Sequence, residues 1–145
     1  MNKLFIFSIL FAFGTGIAVA NEKEDATKMV QNAAAAATKD KEAAIAEISK
    51  PTGSYVKGEL YVFAYDLNGV MVAHPINAKL IGKNLLEVPD ADGKLFRKEI
   101  ISQIKASGSA TVDYKYKNPK TSKVEEKVSF CKKAAELAIC AGYYK

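Results

Sequence analysis

Apolar residues fall into distinct rhythms along this chain. From Leu4 to Phe13 they are interrupted only by Ser8. From Glu22 to Ser49 they recur four or seven residues apart, at Met29, Ala33, Ala37, Ala44 and Ile48, with Lys39 and Glu42 opposite. That spacing, in a stretch rich in Ala, Glu, Lys and Gln and free of Pro and Gly, predicts one long helix over 22–49. The alanines from Ala33 to Ala37 give it a face that can approach a packing partner closely. Pro51-Thr52-Gly53 stops it.

Beyond Gly53 the rhythm shortens to two. Glu59 to Tyr65 is rich in β-branched and aromatic residues and reads as a strand, with Tyr61, Phe63 and Tyr65 on one face. Asp66-Leu67-Asn68-Gly69 is a turn, and Val70 to Ala73 is the return strand. Ile76 to Gly93 is irregular. Lys94 to Ser107 predicts a shorter helix, with Phe96, Ile100, Ile101 and Ile104 on one face and Gly108 at its end. Strands follow at Ala110–Tyr116, Val124–Lys132 and Leu137–Tyr144. This order predicts an α+β fold: a five-stranded antiparallel sheet, the long helix on one face, and a loop and helix insertion over the other. A pocket for a small ligand belongs between insertion and sheet.

With 145 residues there is room for one domain. The start resembles a secretory leader: Lys3, the apolar run, then Ala18-Val19-Ala20 as an A-x-A cleavage site. The run is short of the roughly 20 residues a membrane span needs. The expectation is a signal peptide over 1–20, one domain over 21–145, and export to the periplasm. Export changes the meaning of Cys131 and Cys140. They flank a turn near Ala135 and would sit roughly opposite each other in a hairpin, so a disulfide is expected, with two buried free thiols as the alternative.

One His and two Cys exclude a catalytic His pair and a four-ligand Cys/His zinc site within one subunit. Cys-x-x-Cys, Gly-x-Ser-x-Gly and His-Glu-x-x-His are absent. No enzyme activity, metal or cofactor is expected. The net charge is +5, and between Asp113 and Lys133 seven lysines face three acids. That surplus suits an anionic ligand, or it is a solvated hairpin whose lysines blunt a sheet edge. Nucleic acid is not expected as a partner of an exported protein.

The segment Gly58-Glu-Leu-Tyr-Val-Phe-Ala-Tyr-Asp-Leu-Asn-Gly69, then Val72-Ala-His-Pro75 and Leu80-Ile-Gly-Lys-Asn84, resembles the start of a single Cache domain. Asp113-Tyr-Lys-Tyr-Lys-Asn-Pro119, Lys127-Val-Ser-Phe130 and Ala141-Gly-Tyr-Tyr144 resemble its later part. The resemblance implies a PAS-like sheet with a long N-terminal helix. It also implies an extracytoplasmic module that recognises small molecules, often short carboxylates, within chemoreceptors and histidine kinases. No transmitter region follows the last strand, so a freestanding module working with a separate membrane receptor or kinase is expected. A homodimer through the N-terminal helix is a further expectation. The competing expectation is a structural or interaction protein of the same fold without a ligand.

The candidate ligand residues follow. Lys127 resembles the family's lysine in the strand before the final hairpin and would hold a carboxylate; Phe130 falls on the opposite face. His74, before Pro75, either donates to a ligand or pins its loop by bonding backbone. Tyr114 and Tyr116 share a face with Val112 and line the pocket or pack against the long helix. Tyr61, Phe63 and Tyr65 carry the same ambiguity. Arg97 could bind a carboxylate through two parallel donors, although its neighbours Lys98 and Glu99 suggest a solvated position.

Overall fold

The computed structural model describes residues 15–145. Most of the expected leader, residues 1–14, lies outside them; Thr15 to Ala20 are helical, at the start of the first helix. No described helix is long and apolar enough to cross a membrane.

The expected single helix is two. Helix α1 spans Thr15–Lys39 and α2 spans Lys41–Ile48. Asp40 separates them: its backbone is extended, and its side chain accepts from the Ala43 amide at 3.0 Å. An Asp in this role satisfies a free amide at a helix start and so favours a new helix over continuation of the old one. The buried stripe of α1 is Ala26, Val30, Ala33, Ala34 and Ala37. It meets Ala64, Ala141, Ile139 and Val62 on one face of the sheet. Small residues on both sides allow the close approach expected of the alanine run.

The sheet contains β1 (Val56–Lys57), β2 (Leu60–Asp66), β3 (Met71–Ala73), β4 (Ser109–Lys117), β5 (Val124–Ala134) and β6 (Leu137–Tyr144). Its order is β1-β2-β6-β5-β4, with β3 also pairing β2, and all pairings are antiparallel. The PAS-like α+β architecture is therefore present, with the short β1 as a sixth strand beyond the five expected. Asp66 forms the β2–β3 turn by accepting from the amides of Asn68 and Val70 at 2.8 and 2.9 Å. Gly69 completes it at φ 84°, where a Cβ would also lie 2.3 Å from Leu86 Cγ.

The other face of the sheet is covered by residues 74–95 and by α3 (Phe96–Ser107). Phe96, Ile100, Ile101 and Ile104 bury themselves against Tyr61, Phe63, Tyr65, Val112 and Tyr114. Each such isoleucine contributes about 1.5–3 kcal/mol of burial. The insertion also covers the free edge of β4: Gln103 accepts from the Thr111 amide, Asp90 from the Lys115 amide, and Lys94 Nζ donates to the Asp113 carbonyl. These bonds occupy edge groups that would otherwise invite strand pairing. Cys131 and Cys140 are directly opposed on β5 and β6 and form a disulfide with a Cα separation of 4.1 Å.

Candidate functional site

The side chains that meet between α3 and the sheet get there by alternation. On β2 the odd positions Tyr61, Phe63 and Tyr65 face α3, while Leu60, Val62 and Ala64 face α1. Across the sheet, Tyr114 on β4, Lys127 on β5 and Tyr144 on β6 form one rank. Phe130 belongs to the α1 side, as its offset from Lys127 requires. Tyr114 and Tyr116 lie beside Phe96 of α3, not against the long helix; strand alternation defines a shared face but not which layer covers it. The Tyr114 and Phe96 rings stack at 3.9 Å.

Together Tyr61, Phe63, Tyr65, His74 and Phe96, with Tyr114, Tyr116, Met71 and Lys127, enclose a cavity of about 10 Å³. That is roughly the room one water requires. Tyr61, His74 and Tyr116 also wall a larger outer basin of about 370 Å³, bounded by Ile76, Asn77 and Lys117. Of the residues expected from sequence, His74, Lys127, Tyr114, Tyr116, Tyr61, Phe63 and Tyr65 line the inner cavity; Arg97 stands behind its wall.

Lys127 is 1% exposed. Its Nζ donates to the Tyr61 hydroxyl at 3.1 Å and lies over the Tyr61 ring, 4.2 Å from its centroid, with the Tyr144, Phe63 and Tyr116 rings at 5.0, 5.4 and 5.5 Å. Among the described residues no carboxylate pairs with it; the ion pairs are elsewhere, on the surface. Burial pulls its ammonium down to about 7, with the charge of Glu59 opposing. Aromatic faces stabilise such a cation in part but do not replace an anion.

The room for this lysine comes from Gly142 on β6. A Cβ there would sit 2.7 Å from Lys127 Cε and 2.3 Å from Ser129 Oγ. Gly142 does not have the left-handed backbone that calls for glycine, so the crossing side chain is what excludes a larger residue. Ser129 itself bonds the Tyr114 hydroxyl at 2.8 Å.

His74 bonds the backbone of its own loop. Its Nδ1 accepts from the amides of Ile76 and Asn77 at 3.1 and 3.0 Å. That fixes the tautomer: the proton sits on Nε2, which is left as a donor. Burial first, then the charges of Lys127 and Arg97, push the imidazole down to about 4, so it is neutral at pH 7.

Arg97 is buried, against the solvated position its neighbours suggested. Its Nε donates to the Tyr65 hydroxyl at 3.2 Å and its Nη1 to the Val88 carbonyl at 3.1 Å, with the guanidinium 4.2 Å over the Phe96 ring. Arg97 precedes Ile100, Ile101 and Ile104 by three, four and seven residues, so the helical period already placed it on the buried face. Burial pushes the Tyr65 hydroxyl up to about 12, Arg97 opposing, and it stays protonated at neutral pH. The sequence alone did not mark Met71, Phe96, Gly142 or Tyr144 for the site.

Among curated proteins, the sensor histidine kinase MctS of Rhizobium johnstonii (strain DSM 114642 / LMG 32736 / 3841) is 36% identical over 70 residues, 48% of this chain. The match covers 15% of the kinase's own length. Among solved structures, one titled as the structural basis for carboxylic acid recognition by a Cache chemosensory domain superposes with a TM-score of 0.71 at 26% identity, covering 90% of this chain and 99% of that one. A periplasmic sensor domain of a chemotaxis protein gives 0.70 at 27% identity, with the same coverage. A methyl-accepting chemotaxis protein from Vibrio parahaemolyticus RIMD 2210633 gives 0.73 at 18% identity over 88% and 91% of the two chains, a likeness of fold. The family model described as Single Cache domain 2 matches residues 16–142. The chain belongs to the single Cache domain 2 family of sensor domains.

Proposed function

We propose that this domain binds a short-chain carboxylate, of the size of acetate, propionate, pyruvate or lactate, without chemical turnover. The observation that carries the reading is Lys127: a fully buried ammonium with a tyrosine hydroxyl as its hydrogen-bond partner and no described carboxylate beside it. Around it His74 Nε2 is left as a donor, tyrosine hydroxyls stand nearby, and the walls are aromatic. Such a site favours a ligand that brings negative oxygen and a small apolar body. The carboxylate recognition named for one structural relative supports the same reading.

A two- or three-carbon acid is larger than the inner cavity, so binding requires a wall to move. Tyr116 is the candidate, being half-buried and shared with the outer basin. Export behind residues 1–20 would place the site in the periplasm. Docking to a membrane receptor or kinase, alone or as a pair of copies joined through α1, would then report occupancy.

A thermal-shift series on the purified protein tests this. An acid at 100 times its Kd stabilises by about 2.7 kcal/mol. A dose-dependent rise in Tm with one of the four acids, absent with the corresponding alcohols, is expected. No shift with any acid would favour the competing account, a structural or interaction protein without a ligand.

A further inference from the structure

Arg97 is a buried cation with no described carboxylate partner, and it does not line the cavity. What it does is occupy one side of the Tyr65 hydroxyl. A guanidinium Nε can only donate, so at 3.2 Å the tyrosine oxygen must accept. The Tyr65 proton is therefore turned away from Arg97. Tyr65 is 2% exposed and faces the inner cavity, and no described acceptor takes that proton. The positive charge behind the oxygen also strengthens it as a donor.

The geometry points to Tyr65 as a second donor to the bound anion and to Arg97 as the positioning residue that aims it. This rests on the carboxylate reading and deepens it. The ligand's oxygens meet a donor at the Lys127 end and another at the Tyr65 end, with the Phe63 ring between: its centroid is 5.4 Å from Lys127 Nζ and 5.7 Å from that of Tyr65. Lys127 and Tyr61 repeat the arrangement, a cation donating to a tyrosine oxygen at the cavity wall.

The test is calorimetric titration with sodium acetate, propionate, pyruvate and lactate of four proteins: wild type, Tyr65→Phe, Arg97→Met and the double variant. Circular dichroism confirms folding. Tyr65→Phe keeps the ring and should weaken the tightest acid by roughly 10- to 100-fold, the loss of one hydrogen bond to a charged group. Arg97→Met should weaken it too, and the double variant should bind no worse than Tyr65→Phe alone, because the arginine acts through the hydroxyl. Arg97→Lys, which returns a charge and a donor, should recover part of the loss. Binding by Tyr65→Phe within twofold of wild type, or losses that multiply in the double variant, would overturn the inference. If Arg97→Met does not fold, Tyr65→Phe decides alone. Wild-type protein that binds none of the four acids would overturn the carboxylate reading, and this inference with it.

Discussion

Lys127 reaches Tyr61 by crossing β6 over Gly142, where a Cβ would lie 2.7 Å from its Cε. The glycine thus fixes where the buried charge stands. Gly142→Ala should force the lysine stem and Ser129 aside. A cost of about 1–3 kcal/mol is expected from overpacking, together with loss of acid binding in a protein that still folds. Chemical denaturation and calorimetric titration of the same sample separate the two effects.

Lys127→Met should remove acid binding and leave the protein as stable as wild type or more so. A buried cation without an anion costs folding energy, and an apolar side chain of similar length removes that cost. A large drop in Tm for this variant would mean that the ammonium stabilises the fold.

The stability difference between these two proteins should depend on pH, with a definite sign. The Lys127 ammonium is lowered from an ordinary value near 10.5 to about 7 by burial. Below pH 7 it is protonated folded and unfolded, so the full cost is present. Between pH 7 and 10.5 the unfolded chain holds more protons, and wild-type stability rises with pH. Lys127→Met should therefore lead most at pH 6, and its lead should shrink by pH 10. A lead independent of pH across urea denaturation curves would contradict the burial argument.

His74→Phe keeps a ring but leaves the amides of Ile76 and Asn77 without their acceptor. About 1–3 kcal/mol of stability should be lost for each amide that finds no water. In wild type, the imidazole lowered to about 4 makes folding weaken as pH falls from 6.5 towards 4, since only the unfolded chain protonates there. His74→Phe should show a shallower acid limb in thermal denaturation against pH.

The disulfide closes a loop with a sequence separation of 9, so replacing both cysteines by alanine should cost about 2–3 kcal/mol. The intact mass of the oxidised protein should be lower than that of the reduced chain by two hydrogens. A mass equal to the reduced form would remove the bond.

The residues of this cavity differ in how plainly the chain announces them. Alternation on β2 and β4 put Phe63 and Tyr65, and Tyr114 and Tyr116, on shared faces. It could not say that α3 covers them, because that depends on the hand of the insertion. Arg97 was legible in the helical period of α3, yet charged neighbours masked it. The break at Asp40 was legible too, as a capping side chain inside an otherwise unbroken helical run. The burial of Lys127 without an acid was not: it depends on Gly142, a residue from the next strand that only the register of β5 on β6 places beneath it.

The central claim is that an acid's oxygens rest against Lys127. Following the Lys127 side chain by nuclear magnetic resonance through a pH titration, with and without saturating propionate, tests it most directly. Titration near pH 7 is expected alone and a clear upward displacement with propionate, since an anion beside the ammonium favours its charged form. An unchanged titration in the presence of bound propionate would contradict it.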